Sequence, residues 1–143
     1  MSVYQKALAF KKKYPLTVAW RLKKNCAIIE KHLDSDESVH YVFVGQKNNE
    51  FYDLFTTCVV AVTNKRILIG RKRVVFGYAL DSIMPYMFND MNVRTRIIWG
   101  SVCIDTVEED VFISNIDKAA MKEIVSNVNK HMIKLKQLYT SEE

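Results

Sequence analysis

Val59-Val60-Ala61-Val62-Thr63-Asn64-Lys65-Arg66-Ile67-Leu68-Ile69-Gly70 places two apolar, mostly β-branched runs on either side of one short polar break. The stretch reads as a strand, a tight reversal and a second strand. Val59–Val62 and Ile67–Ile69 are residue types that suit a pleated sheet, and Asn64 tolerates the left-handed backbone that a reversal often needs. Neither run alternates with polar residues, so both faces of the pair are expected to be covered.

Outward from this hairpin the chain keeps a β character. Val39–Val44 is a short Val, Tyr and Phe run, the polar segment Gly45–Glu50 follows as a loop, and Phe51–Val62 leads into the hairpin. Arg71-Lys72-Arg73 leaves it, Val74–Ala79 is a fourth strand, and Asp81-Ser82-Ile83 opens a bend before Pro85. Asn89–Asn92 reads as a reversal and Val93–Trp99 as a half-exposed strand of alternating character. Gly100-Ser101 and Glu108-Glu109-Asp110 read as turns around Val102–Val107, before Val111–Ser114. Short strands linked by turns describe a seven-stranded antiparallel barrel or sandwich.

Helices are expected at both ends. Residues 3–13 form a short one, with Val3, Ala7 and Phe10 on one side. From Leu16 to Leu33 the set Ala19, Leu22, Cys26, Ile29 and Leu33 recurs at helical spacing, and the acidic break Asp34–Ser38 ends it. A last helix, capped by Asn115 or Asp117, carries Met121, Ile124, Val125, Val128, Met132, Leu135 and Tyr139 along one stripe. About 22 residues at 1.5 Å each reach about 33 Å, more than one end of a small barrel needs. The division is therefore residues 1–36 as a helical extension and 37–143 as a mainly β domain with its C-terminal helix.

Charge is uneven. Residues 1–33 hold eight Lys and Arg against Glu30 alone, whereas the remainder carries 13 basic and 15 acidic side chains. An electrostatic partner is drawn first to the N-terminal segment. That segment lacks the long apolar run of a signal or a span, so a cytoplasmic protein is expected. Cys26, Cys58 and Cys103 are odd in number and far apart, which suits buried thiols rather than a metal or disulfide set.

Val-Thr-Asn-Lys-Arg-Ile-Leu-Ile, residues 62–69, resembles the T-N-K-R hairpin of bacterial pleckstrin-homology domains, in particular the YokE-like group. Tyr78–Ile83 and Ile97–Gly100 look like later segments of the same pattern, and the resemblance spans residues 37 to about 138. It implies a PH-like barrel capped by a helix, and lipid headgroups, peptides or proteins as ligands. Phosphoinositide-binding relatives gather several cations on the first strand and its following loop. Here Val39–Phe55 offers only Lys47 beside Glu50 and Asp53, which argues against specific phosphoinositide recognition.

Lys65, Arg66, Arg71, Lys72 and Arg73, with Arg94 and Arg96, are candidates for one basic face, or for a solvated rim that discourages edge aggregation. Sparse interleaving with aromatics argues against nucleic acid. In the extension, Lys11, Lys12, Lys13, Trp20, Lys23 and Lys24 are the candidate contacts, and Met132, Leu135 and Tyr139 those of the last helix. His32, His40 and His131 lack a nucleophile or metal pattern, so no catalytic residue, metal or cofactor is expected. The expected function is a non-catalytic module that binds protein partners and self-associates through surplus helix stripes. The alternative is peripheral binding to anionic membrane through the basic N-terminal segment.

Overall fold

The computed structural model describes residues 2–47, 57–73 and 76–141. Two helices come first, α1 (Val3–Lys13) and α2 (Leu22–His32), then seven strands: β1 (Val39–Lys47), β2 (Thr57–Thr63), β3 (Ile67–Lys72), β4 (Tyr78–Ile83), β5 (Phe88–Thr95), β6 (Trp99–Thr106) and β7 (Asp110–Asp117). A 3-10 turn then leads into α3 (Met121–Ser141). The strands form one curled half-barrel in the order β4-β3-β2-β1-β7-β6-β5, every neighbouring pair antiparallel.

The opening hairpin pairs Val59 with Gly70, Val60 with Ile69, Ala61 with Leu68 and Val62 with Ile67. All of β2 is buried, as the uninterrupted apolar run requires. One cover is α2, whose Ile29 side chain lies where a Cβ on Gly70 would stand, only 2.8 Å away. That contact needs glycine. Helix α1 begins at a capping box, Ser2 Oγ accepting from the Gln5 N–H while Gln5 Oε1 accepts from the Ser2 N–H. Its Val3, Ala7 and Phe10 join Cys26 and Ile29 of α2 in the same core as the strands. Phe10 meets Phe43 of β1 at a ring separation of 6.5 Å.

Several boundaries differ from the sequence reading. The second helix starts at Leu22 rather than Leu16, because residues 16–21 form an irregular strap that begins in a turn, the Thr17 N–H donating to the Tyr14 carbonyl. The Val18 N–H donates to the Asn115 carbonyl and the Trp20 N–H to Thr57 Oγ1, while Arg21 takes a left-handed backbone (φ 53°) that no helix continues through. The loop expected from Gly45 is strand as far as Lys47. Val93–Trp99 is not one strand but the two arms of a hairpin, closed by the Arg96 N–H donating to the Trp99 carbonyl at 2.8 Å.

Asn89–Asn92 lies inside β5, where an edge position tolerates polar residues. Gly100 lies in β6, and a Cβ there would meet Met121 Sδ at 2.6 Å, so this glycine admits the last helix rather than making a turn. Asp81–Ile83 completes β4. The expected strand start at Phe51 and residues 74–75 of the fourth strand lie outside the described residues.

The helix stripes are also largely covered within the chain, which reduces the expected surplus to its far end at Tyr139. Cys26 and Ile29 are buried, and so are Met132 and Leu135, while Leu22 and Leu33 are partly covered by the core. The last helix packs chiefly along β5, with Lys136 Nζ over the Phe88 ring at 5.7 Å. Cys26 and Cys58 are buried free thiols, but Cys103, on edge-proximal β6, is only half-buried.

Candidate binding surfaces

Lys65 and Arg66 occupy the β2–β3 turn and are held by the acidic link between α2 and β1. Arg66 grips Glu37 with two nitrogens, Nε to Oε2 at 3.1 Å and Nη2 to Oε1 at 3.0 Å, and also donates to the His32 carbonyl. Thr63 Oγ1 donates to Glu37 Oε2 at 2.6 Å. Asn64 accepts from the Ser38 N–H and donates to the Asp36 carbonyl, while Lys65 reaches Asp36 and Asp34. Burial would push the Glu37 carboxyl up, but its hydrogen bonds from Arg66 and Thr63 outweigh that and hold it below the usual carboxylate range. The T-N-K-R segment is thus a clasp on the incoming chain.

The N-terminal lysines divide. Lys11 Nζ donates to the Pro15 and Thr17 carbonyls, and its burial lowers its pKa against the opposing pull of Asp117. Lys13 pairs with Glu123 of α3, which also accepts from the Tyr41 hydroxyl at 2.9 Å. Around Glu123, a cleft of about 240 Å³ is lined by Lys6, Phe10, Lys13, His40 and Tyr41. It is small for a ligand site, and its carboxylate is already paired. Lys12 is exposed.

A second surface forms where α2 meets the far end of β3. The Asn25 side chain is the joint: Oδ1 accepts from the Lys72 N–H at 2.7 Å and Nδ2 donates to the Trp20 carbonyl at 3.1 Å. This brings Trp20, Lys23 and Lys24 beside Arg71, Lys72 and Arg73. Trp20 is 55% exposed, and Phe76 and Tyr78 add exposed rings at 83% and 47%. Arg71 and Lys72 are half-buried, Lys23, Lys24 and Arg73 exposed, and none of the five has a carboxylate partner among the described residues. Arg66 and Arg71 stand at opposite ends of β3, about 17 Å apart along a strand, so the cations read together in the sequence do not converge. Arg94 and Arg96 lie further off still, on the opposite edge strand and its turn.

Of the last-helix candidates, Met132 and Leu135 are core residues, and Tyr139 is 45% exposed. His40 and His131 stack at 4.8 Å, and His32 contacts the Tyr78 hydroxyl. Among the described residues, no group of three or more His, Cys, Asp or Glu could hold a metal, and no helix is long and apolar enough to cross a membrane. The sequence reading missed the Glu37 clasp; its one signal was an acidic break of charge opposite to Lys65-Arg66.

No curated protein matches this chain. Among solved structures it is similar to a pleckstrin homology domain from Shewanella amazonensis SB2B, with 13% identity over 81% of this chain and 88% of that one and a TM-score of 0.47. It is similar also to a DUF1696 family protein with a pleckstrin-homology domain from Shewanella loihica PV-4, with 10% identity over 80% of this chain and 95% of that one and a TM-score of 0.45. The family model described as bacterial PH domain matches residues 33–130, which takes in the acidic link, the clasp it closes and all seven strands. By that match the chain belongs to the bacterial PH domain family.

Proposed function

We propose that this chain is a non-catalytic interaction module that takes an acidic protein partner on the face shared by α2 and the β3–β4 hairpin. The observation behind this reading is a set of cations without a carboxylate partner among the described residues, Lys23, Lys24, Lys72 and Arg73, beside the exposed rings of Trp20, Phe76 and Tyr78. Exposed aromatics and arginine are the residue types that concentrate binding energy at protein interfaces, and like cations left without acids supply charge complementarity and steering. Self-association, the other half of the reading, rests on Tyr139, the exposed end of the last-helix stripe, together with Ile133 of α3, also exposed. A cytoplasmic location and membership of the YokE-like group belong to the same proposal, the latter on residues 62–69.

A charge-matched pair of variants tests it. In nuclease-treated native lysate, Lys24→Glu/Arg73→Glu is expected to lose the proteins captured by the wild type, and Lys130→Glu/Lys134→Glu on α3 to keep them. Identical capture by all three proteins would overturn the assignment. The second reading, an anionic membrane met through the N-terminal segment, draws on Lys12, Lys23 and Lys24, since Lys11 and Lys13 are already engaged.

A further inference from the structure

The β5–β6 hairpin turns on Ile97-Ile98, two β-branched apolar residues at a tip where Asn, Asp and Gly are the usual solution. Ile97 is 87% exposed and Ile98 44%. Beside them lies Leu16 of the strap, 56% exposed, held there because Trp99 Nε1 donates to the Leu16 carbonyl at 2.7 Å. The Lys118 N–H donates to the Ile98 carbonyl, which fixes the start of the 3-10 turn against the same tip. An exposed aliphatic residue of a distant segment is therefore tied, through the Trp99 indole, to the strand that carries the two exposed isoleucines.

The exposed charges on the segments that form this patch have one sign. Lys12, Arg94, Arg96 and Lys118 are exposed. Across residues 12–18, 94–99 and 115–120 the only carboxylate is Asp117, and it is buried, accepting from the Leu16 and Ala119 N–H groups. An apolar tip inside a cationic rim matches one surface chemically, a bilayer with anionic headgroups: the aliphatic side chains enter the acyl boundary, the indole sits at the interface and the cations meet the headgroup charge.

We propose that the Ile97-Ile98 tip, with Leu16 and the rim of Arg94, Arg96 and Lys118, is a membrane-insertion wedge that docks the domain on an anionic bilayer. The tip itself, on β5 and β6, lies towards the other end of the sheet order from β3 and β4. The test uses the full chain with Trp20→Phe, leaving Trp99 as the reporter, and vesicles of phosphatidylcholine with or without phosphatidylglycerol. Anionic vesicles are expected to shift Trp99 emission to the blue and to sediment the protein; neutral ones are not. Ile97→Ser/Ile98→Ser is expected to weaken sedimentation at least about tenfold, the loss of two buried aliphatic side chains. Arg94→Gln/Arg96→Gln is expected to weaken it and flatten its salt dependence. Equal binding by wild type and the isoleucine variant, or none by wild type, overturns the proposal. Binding that needs Lys23 and Lys24 but not the tip also overturns it, and gives the membrane to the other face.

Discussion

The two ends of β3 carry the same residue types and behave in opposite ways. At one end Lys65 and Arg66 are fully engaged by Asp34, Asp36 and Glu37; at the other, Lys72 and Arg73 meet no acid among the described residues, with Lys23 and Lys24 of α2 beside them. A run of Lys and Arg is therefore not a binding site in itself. What separates clasp from surface is the segment that lies against it, an acidic link in one case and a basic helix start in the other.

The contrast can be broken most severely by removing residues 1–36. This deletes Asp34 and Asp36 and uncovers the core positions served by Val3, Ala7, Phe10, Cys26 and Ile29. Lost burial on that scale is comparable to the whole stability of a domain, about 5–15 kcal/mol, so the truncated chain is expected to lack a cooperative unfolding transition by circular dichroism. A well-folded fragment would show that the extension is only appended.

A finer test compares two arginines. Arg66→Ala leaves the fully covered Glu37 carboxylate without its counter-charge and is expected to cost about 3 kcal/mol in urea denaturation, whereas Arg73→Ala is expected to stay within about 0.5 kcal/mol. Because Glu37 is held below the ordinary carboxylate range when folded, its contribution is present above that range and is lost as pH falls through its lowered folded value. The difference in midpoint between wild type and Glu37→Gln should therefore shrink on acidification below about pH 4.3. A difference independent of pH would separate the carboxylate's charge from its role.

The sequence made the centre of this molecule legible and its tethers much less so. Val59–Val62 showed two-sided burial because a run without polar interruptions has no other home, and the stripe from Met121 to Leu135 declared α3 through its period. The strap at residues 16–21 was hidden because Ala19 and Leu22 continue the helical spacing of α2; what stops the helix is the left-handed Arg21 and hydrogen bonds to β2 and β7. Asn89 to Asn92 carry turn residues into an edge strand, where solvent rather than a turn satisfies them. The site suffered from the same gap. Arg66 and Glu37 are 29 residues apart, and the α2–β3 face is joined by Asn25 and Lys72, 47 residues apart, so no local pattern could announce either.

The three cysteines sit in α2, β2 and β6, and their burial gives each a different chemical clock. Cys26 and Cys58 are covered, with desolvation pushing both thiols up to about 12, so neither offers thiolate to an alkylating reagent at neutral pH while its element is in place. Cys103 is half-buried and is expected to label first. Reaction at Cys26 before Cys58 would then time the lifting of α2 from the sheet apart from the opening of the sheet itself, and simultaneous reaction would make them one cooperative unit.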